Sequence, residues 1–374
     1  MLFARATYVA SIIRRRSLPF IQQVRNVSQS SEFKDLDGDR PRRSYLYVPC
    51  SSERMLNKSL ETPSDVIIYD LEDSVAPDAK AGARTALGKF FNTRHEPPLP
   101  LSSRVAVRLN AVDTPYFEED VRAAVSIPHV RTLVLPKIHS AEHLDDVAEL
   151  VSWASSSATP QPRTQPLRLV ASIESARGLW NIGHIAEWKS HNGPTGGVLR
   201  ALLFAAEDCT SSPSSSYPST NPLTIPPTTV CADTSIIRTP SRLELLHTRS
   251  QIVLAAKAFQ LEAIDMVCVN YKDPSYLLDE CQDGRRLGFT GKQAIHPAQV
   301  ETIQKTFVPT EKEILRAARI VSAMQASHLE GRGAFGLDLS DGSGSREMID
   351  APMLKQAENV LRVAKAAGLE IPEV

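Results

Sequence analysis

The 374-residue chain lacks a dominant sign of charge: 42 Lys and Arg stand against 43 Asp and Glu, a formal −1. So balanced a surface offers no field for a polyanion, which speaks against nucleic acid and against an anionic membrane surface as partners. Long apolar runs are missing too. No stretch approaches the ~18 consecutive apolar residues of a membrane-crossing helix, and none is expected. Cysteine is sparse, with Cys50, Cys209, Cys231, Cys268 and Cys281 odd in number, scattered, and without a Cys-x-x-Cys pair. This excludes a disulfide framework and a thiolate zinc site and fits a reducing compartment. Neither a His-Glu-x-x-His pair nor a nucleotide-binding loop is found. What remains is a composition of 42% hydrophobic and 23% charged residues, with 17 glycines and 26 prolines, which is that of a soluble globular protein. The length suits one large α/β barrel with extensions or two ordinary domains.

Acidic residues are absent from residues 1–31, which hold Arg5, Arg14, Arg15, Arg16, Arg25 and five serines among interleaved apolar residues. A cationic amphipathic segment of this kind is expected to be a mitochondrial transit peptide, and the alternative is a disordered basic tail. The chain left after its removal is acidic and is expected in the mitochondrial matrix. Residues 32–42 read as a linker.

From residue 43 onward, short apolar or β-branched runs alternate with helical patterns. Predicted strands are Ser44–Pro49, Asp65–Asp73, Arg104–Asn110, Thr132–Ile138, Arg168–Ser175, Ala201–Asp208, Ala263–Tyr271 and Lys292–Pro297. Amphipathic stretches lie between them: Arg54–Glu61, Lys80–Phe91, Tyr116–Ser126, Ala141–Ala154, Ala176–Lys189, Arg242–Gln260, Ser275–Leu287 and Ala298–Phe307. Near-continuous apolar strands separated by helices mean a covered parallel sheet, and eight such units match a (β/α)8 TIM barrel over 43–308. A doubly wound open sheet is the alternative. Residues 210–233, rich in Pro and Ser, read as an insertion at the barrel mouth. A helix over Glu311–His328, a Gly-rich stretch over Gly331–Gly344 and a last helix over Pro352–Ala367 form a C-terminal helical extension, 309–374.

In a barrel, chemistry collects at the carboxyl ends of the strands. Charged residues stand at those ends: Asp70, Glu72 and Asp73 after the second strand, Arg108 after the third, Lys137 after the fourth, Glu174 after the fifth, Glu207 and Asp208 after the sixth, His296 after the eighth. Two hard carboxylates on neighbouring strands, Glu174 and Asp208, suit Mg²⁺, which keeps waters and takes oxygens from a substrate. The plainer readings are that Glu174 caps a helix or pairs with Arg108, and that Arg108 is an ion-pair partner of Glu72 or Asp73. As a functional group Arg108 would stabilise an enolate or carboxylate.

Arg43-Ser44-Tyr45-Leu46-Tyr47-Val48-Pro49, Asp70-Leu71-Glu72-Asp73-Ser74-Val75, Val107-Arg108-Leu109-Asn110, Leu135-Pro136-Lys137-Ile138, Ile173-Glu174-Ser175-Ala176-Arg177-Gly178-Leu179 and Gly288-Phe289-Thr290-Gly291-Lys292-Gln293-Ala294-Ile295-His296-Pro297 together resemble the citrate lyase β-subunit / malyl-CoA lyase (HpcH/HpaI aldolase-like) family. The resemblance runs over about residues 43–370, and the Met348-Ile349-Asp350-Ala351-Pro352 tail is similar to that of mitochondrial citrate lyase β-like proteins, which act as citramalyl-CoA lyases. It implies a homotrimer of TIM barrels whose partners are an acyl-CoA thioester and a small 2-oxo acid. It also implies Mg²⁺ held by Glu174 and Asp208, Arg108 on the acyl or keto-acid group, and Asp350 reaching a neighbouring subunit as acid/base. Tyr47, Arg54, Lys58, Asn270 and Tyr271 are implied coenzyme A or substrate contacts, with Asp70, Glu72 and Lys137 in support. The expected reaction is cleavage of citramalyl-CoA to acetyl-CoA and pyruvate. Alternatives are malyl-CoA cleavage or malate synthase-like condensation with glyoxylate and, in a different class, an inactive CoA-binding or assembly protein. Two departures stand out: Cys50 where the family has glycine, and the long insertion between Glu207-Asp208 and Arg238-Thr239.

Overall fold

A computed structural model describes residues 40–93, 95–158, 163–206, 234–329, 335–338 and 346–374. The expected transit peptide, nearly all of the linker, the Glu207-Asp208 pair and the 210–233 insertion lie outside the described residues, as does most of Gly331–Gly344.

Pro41–Val374 forms one compact unit. Its strands β1 (Ser44–Pro49), β2 (Val66–Asp70), β3 (Val105–Arg108), β4 (Thr132–Leu135), β5 (Arg168–Ile173), β6 (Val198–Phe204), β7 (Glu262–Asp265) and β8 (Gly291–Ala294) close into an all-parallel barrel in chain order. The barrel expectation holds, and the open sheet is excluded by the β1–β8 pairing, Ser44 opposite Lys292 through Leu46 opposite Ala294. Gly291 is required at that seam, because a Cβ there would stand 2.6 Å from the Arg43 carbonyl oxygen.

Strand alternation divides the apolar residues into two cores. Tyr45, Val66, Ile68, Ala106, Val134, Val170, Ala201, Leu203 and Ile264 fill the barrel interior. Their neighbours of opposite parity, among them Ile67, Tyr69, Val105, Val107, Leu133, Leu135, Leu169 and Ala171, pack outward under the helices. Burial of a Val, Leu or Ile contributes about 1.5–3 kcal/mol, so both layers hold the barrel.

The helices are α1 (Glu53–Lys58), α2 (Lys80–Asn92), α3 (Phe117–Ser126), α4 (Ala141–Ala158), α5 (Ala176–Trp180), α6 (Ile182–Glu187), α7 (Leu246–Ala258), α8 (Pro274–Leu287), α9 (Val300–Thr306), α10 (Glu311–Leu329) and α11 (Ala351–Ala366). Local chemistry sets their ends. Asp273 caps α8 by accepting from the Ser275 and Tyr276 amides, Pro274 starts the helix, and Gly288 ends it at φ 102°, a backbone region costly for residues with a Cβ.

Several boundaries differ from expectation. Strands β2 and β7 stop at Asp70 and Asp265 although apolar sequence continues, because Leu71, Met266, Val267 and Cys268 are buried in loops beyond the last ladder pair. One expected helix, Ala176–Lys189, is two, broken at Asn181, whose side-chain amide donates to the His139 carbonyl at 2.9 Å. Another starts late: Arg242 sits at φ 58° and a 3-10 turn over Leu243–Leu245 precedes α7. The C-terminal extension contains an unexpected antiparallel hairpin, β9 (Phe335–Asp338) with β10 (Arg346–Ile349). Helices α10 and α11 share a small core of their own, Ala317, Ile320, Met324, Ile349 and Ala357.

Candidate active site

Strand parity decides what faces the barrel mouth. Tyr47 follows Tyr45, Asp70 follows Ile68, Arg108 follows Ala106 and Glu174 follows Val170 and Ser172, each on the inward-facing set. In the β2–β3 ladder Asp70 lies directly opposite Arg108. The outcome is a bidentate pair, Arg108 Nε to Asp70 Oδ1 at 2.7 Å and Nη2 to Oδ2 at 2.8 Å. The remaining nitrogen, Nη1, faces Glu72 Oε2 at 3.0 Å and donates to Asp73 Oδ2 at 3.3 Å.

Asp70 is a fully buried hub. Besides Arg108 it accepts from the Glu72 amide at 2.9 Å and from the Ser74 hydroxyl at 2.5 Å. Burial alone would raise its pKa, but Arg108 and these donors outweigh burial and hold the carboxyl below the usual range. The following loop is tied from behind by Lys80, whose Nζ donates to the carbonyls of Leu71 and Glu72 at 2.8 and 2.7 Å, and by Asn110 on Leu71 at 3.0 Å.

Glu72 receives Lys137 Nζ at 2.8 Å. Lys137 reaches it from a backbone at φ 52°, a left-handed conformation that for a residue with a Cβ stores about 1–3 kcal/mol. Even with two cations beside it, Glu72 is pushed up to about 8, by burial first and then by Glu174 and Asp73. Glu174 is likewise buried and raised, by burial first, while the Ser172 hydroxyl, Arg108 and Lys137 oppose the shift. Glu174 does not cap the helix that follows it; Ser175 does, accepting from the Gly178 amide at 3.0 Å. The His139 ring meets the same Ser175 hydroxyl at 2.6 Å.

The mouth thus gathers Asp70, Glu72, Asp73 and Glu174 around Arg108 and Lys137, more carboxylates than cations. With Asp73 exposed and the buried Lys80 behind the loop, these carboxylates form an oxygen donor set that suits a hard divalent cation, which tolerates water in the rest of its shell. Among the described residues no group of three or more His, Cys, Asp or Glu is arranged to hold a metal alone. Asp208, the other expected ligand, lies outside them, four residues past Phe204 at the end of β6.

The structure brings Tyr47, Asp70, Glu72, Arg108, Lys137 and Glu174 together. The Tyr47 ring centroid is 4.6 Å from the Arg108 guanidinium carbon, and its hydroxyl donates to Gln293 Oε1 at 2.8 Å. Arg54 and Lys58 are exposed on α1, and Asn270 and Tyr271 are exposed in the loop after β7, Tyr271 stacked on His296 at 5.0 Å. These four make no described contact with the carboxylate cluster. Asp350 is exposed at the start of α11 and accepts from the Met353 amide at 3.1 Å; among the described residues, no hydrogen bond or ion pair joins it to the mouth of its own chain. Sequence reasoning missed Ser74, Lys80 and Gln293. Gln293 was legible in principle, as the inward position of a strand whose outward neighbour is Lys292.

Comparison with known proteins agrees with the geometry. The family model described as HpcH/HpaI aldolase/citrate lyase matches residues 43–297. The chain is 32% identical over 368 residues to the human "Citramalyl-CoA lyase, mitochondrial", covering 96% of each. It is 33% identical over 299 residues to "(3S)-malyl-CoA thioesterase" of Cereibacter sphaeroides, covering 80% of this chain and 88% of that one. Among solved structures, protein CitE from Mycobacterium tuberculosis in complex with magnesium, acetoacetate and coenzyme A superposes with a TM-score of 0.61 at 27% identity, covering 88% of this chain and 99% of that one.

Proposed function

This chain belongs to the HpcH/HpaI aldolase/citrate lyase family, and on that premise we propose that it is an Mg²⁺-dependent lyase cleaving citramalyl-CoA into acetyl-CoA and pyruvate. That it is a lyase of CoA thioesters follows from the family and its named relatives. The substrate rests on the near full-length similarity to a citramalyl-CoA lyase. The observation that carries the reading is the mouth cluster: a guanidinium fixed edge-on by Asp70 beside two buried carboxylates with raised pKa.

The donors fit the metal. Glu174, with Asp208, is assigned to hold Mg²⁺, because its buried carboxylate has no cation of its own to neutralise it, Arg108 and Lys137 being engaged by Asp70 and Glu72. Bound Mg²⁺ supplies a Lewis acid for the carboxylate and hydroxyl oxygens of the acid moiety. Cleavage transfers the electron pair of the broken carbon–carbon bond into the thioester, giving an enolate. Arg108 is assigned to that oxyanion, its Nε and Nη2 edge held by Asp70 and its Nη1 shared with Glu72 and the exposed Asp73, which the oxyanion would displace as charge develops. Asp350 of a neighbouring subunit protonates the enolate carbon, and in the condensing direction removes that proton. The proton released from the substrate hydroxyl balances the one gained by carbon, so no further reactant is consumed. A homotrimer in which the 309–374 extension completes the adjacent mouth is part of this proposal, supported by the exposure of Asp350, which among the described residues makes no hydrogen bond or ion pair to the cluster of its own chain. Arg54, Lys58, Asn270 and Tyr271 are assigned to the coenzyme A moiety. The mitochondrial relatives and the acid-free, Arg-rich residues 1–31 support a matrix location.

Malyl-CoA is the second substrate reading, favoured by the similarity to a malyl-CoA thioesterase. A single methyl in a pocket discriminates by only about 1 kcal/mol or a little more. Offering each thioester to the Mg²⁺-loaded protein and measuring pyruvate or glyoxylate decides between them. Pyruvate release at the higher kcat/KM supports the first reading, and preferential glyoxylate release replaces it with the second.

A further inference from the structure

Gln293 is completely buried at the inner face of β8, opposite Tyr45 of β1. Its side-chain amide is fully engaged. Nε2 donates to the carbonyl oxygens of Phe204 at 2.7 Å and Asp265 at 3.0 Å. Both are acceptors only, so the orientation of the amide is settled: a flipped Gln293 would set its own oxygen against two carbonyls. Oε1 therefore faces the Tyr47 hydroxyl, which donates to it at 2.8 Å. The Tyr47 ring lies against the Arg108 guanidinium.

Arg108 consequently has two supports of different kind. Asp70 fixes the guanidinium within its plane through two hydrogen bonds and Glu72 and Asp73 hold Nη1, edge contacts that leave a tilt of the plane as the remaining rotation. The Tyr47 ring opposes the rotation, and the ring is itself pinned at its far end by Gln293. The anchors of Gln293 are the carbonyls that end β6 and the β7 strand, and β6 leads within four residues to Asp208.

We propose that Gln293 is a positioning residue for the lyase reaction, setting through Tyr47 the orientation of the Arg108 guanidinium relative to the ends of β6 and β7. The inference rests on the reading of Arg108 as partner of the developing oxyanion. A guanidinium over the face of a half-buried tyrosine ring is attracted to it, which favours one orientation of the guanidinium plane.

Two variants separate this role from mere support of the fold. Tyr47→Phe removes one hydroxyl and leaves the ring and both backbone hydrogen bonds of Gln293 in place. Gln293→Met keeps the volume and removes all three hydrogen bonds. Each is compared with the wild-type full chain by steady-state cleavage of citramalyl-CoA, by calorimetric binding of oxalate to the Mg²⁺-loaded protein, and by thermal melting. Oxalate is a planar dianion that probes the Nη1 side of Arg108, the Nε and Nη2 edge being held by Asp70.

For Tyr47→Phe the expected result is kcat lowered about tenfold with KM within about twofold and an unchanged melting temperature. Gln293→Met loses the same factor and also melts lower. The double variant is no slower than Gln293→Met, since both break one link. Oxalate affinity falls in parallel. Wild-type kcat and wild-type oxalate affinity in Tyr47→Phe, with Gln293→Met only less stable, would overturn the proposal. Should the wild type cleave neither thioester, the functional reading fails and the oxalate arm decides alone: weakened binding in both variants upholds the relay, and unchanged binding rejects it.

Discussion

Two clusters of charge lie on opposite sides of the barrel wall, and their chemistry is opposite. Outside β7 and β8, under α7 and α8, Arg249 forms a bidentate pair with Asp265 at 3.2 and 2.8 Å, and Lys292 meets Glu280 at 3.1 Å. Arg238 pairs with Glu280, and Arg242 with Asp279 at 2.5 Å. Arg249 and Arg242 also share Asp283, at 2.5 and 3.4 Å. In this set Arg238, Arg242, Arg249 and Lys292 balance Asp265, Asp279, Glu280 and Asp283. Glu280 is as buried as any residue of the mouth, yet its pKa is lowered, because Lys292 and Arg238 outweigh the effect of burial. At the mouth, Glu72 and Glu174 are equally hidden and shifted upward. Burial is common to both clusters; compensation is not. The balanced cluster is a joint between strand and helix, and the unbalanced one is the site proposed above for a cation and an anionic substrate.

The largest effect expected from breaking this contrast is at the mouth. Glu174→Gln should lower kcat about 10³-fold or more while leaving the melting temperature within a few degrees of wild type, and Arg108→Met should lower kcat as far but also destabilise the fold, because it strands the buried Asp70. In the joint the pattern inverts. Arg249→Met strands Asp265 in a fully buried position and should destabilise the fold by about 3–5 kcal/mol, read by urea unfolding, whereas kcat of the fraction still folded stays near wild type.

A sharper test uses Glu72. In the unfolded chain this carboxyl ionises near 4.5, and in the folded chain near 8. The folded state holds the proton more tightly, so Glu72 takes nothing from stability below about pH 4.5, and its cost grows as pH rises from 4.5 to about 8 and levels off above it. Glu72→Gln should therefore raise the melting temperature of the metal-free protein at pH 7.5, by the equivalent of about 2 kcal/mol, and leave it unchanged at pH 4. Its turnover should fall, since Lys137 then loses its partner. Smallest is the effect at the rim. Arg54→Ala and Lys58→Ala should each raise KM for the thioester about threefold with kcat unaltered, measured by initial rates across thioester concentration.

How much of this was legible in the sequence differs between the two clusters. Arg108, Glu174 and Asp70 were legible because each stands at the carboxyl end of an apolar run, where a barrel collects its chemistry. The barrel itself followed from eight apolar runs spaced by helices. The joint was not read at all: Arg249 and Glu280 sit singly in amphipathic stretches and Lys292 starts a predicted strand, and only the pairing of β8 with β7 under α8 brings Lys292 to Asp265 and Glu280. The raised pKa of Glu72 depends on its distance from Glu174, three strands away, which no local pattern encodes. Gln293 went unremarked because a lone polar residue in a short strand carries no periodic signal until its register is known. The break at Asn181 was hidden by apolar residues that continue on both sides of it.

The most direct test of the contrast is calorimetric titration of the full chain with Mg²⁺ at a temperature where every variant is folded, comparing wild type, Glu174→Gln and Asp265→Asn. The account predicts a bound Mg²⁺ in the wild type, retained in Asp265→Asn and weakened about tenfold or more in Glu174→Gln. Equal Mg²⁺ affinity in wild type and Glu174→Gln, or its loss in Asp265→Asn alone, would contradict the assignment of the mouth as the cation site.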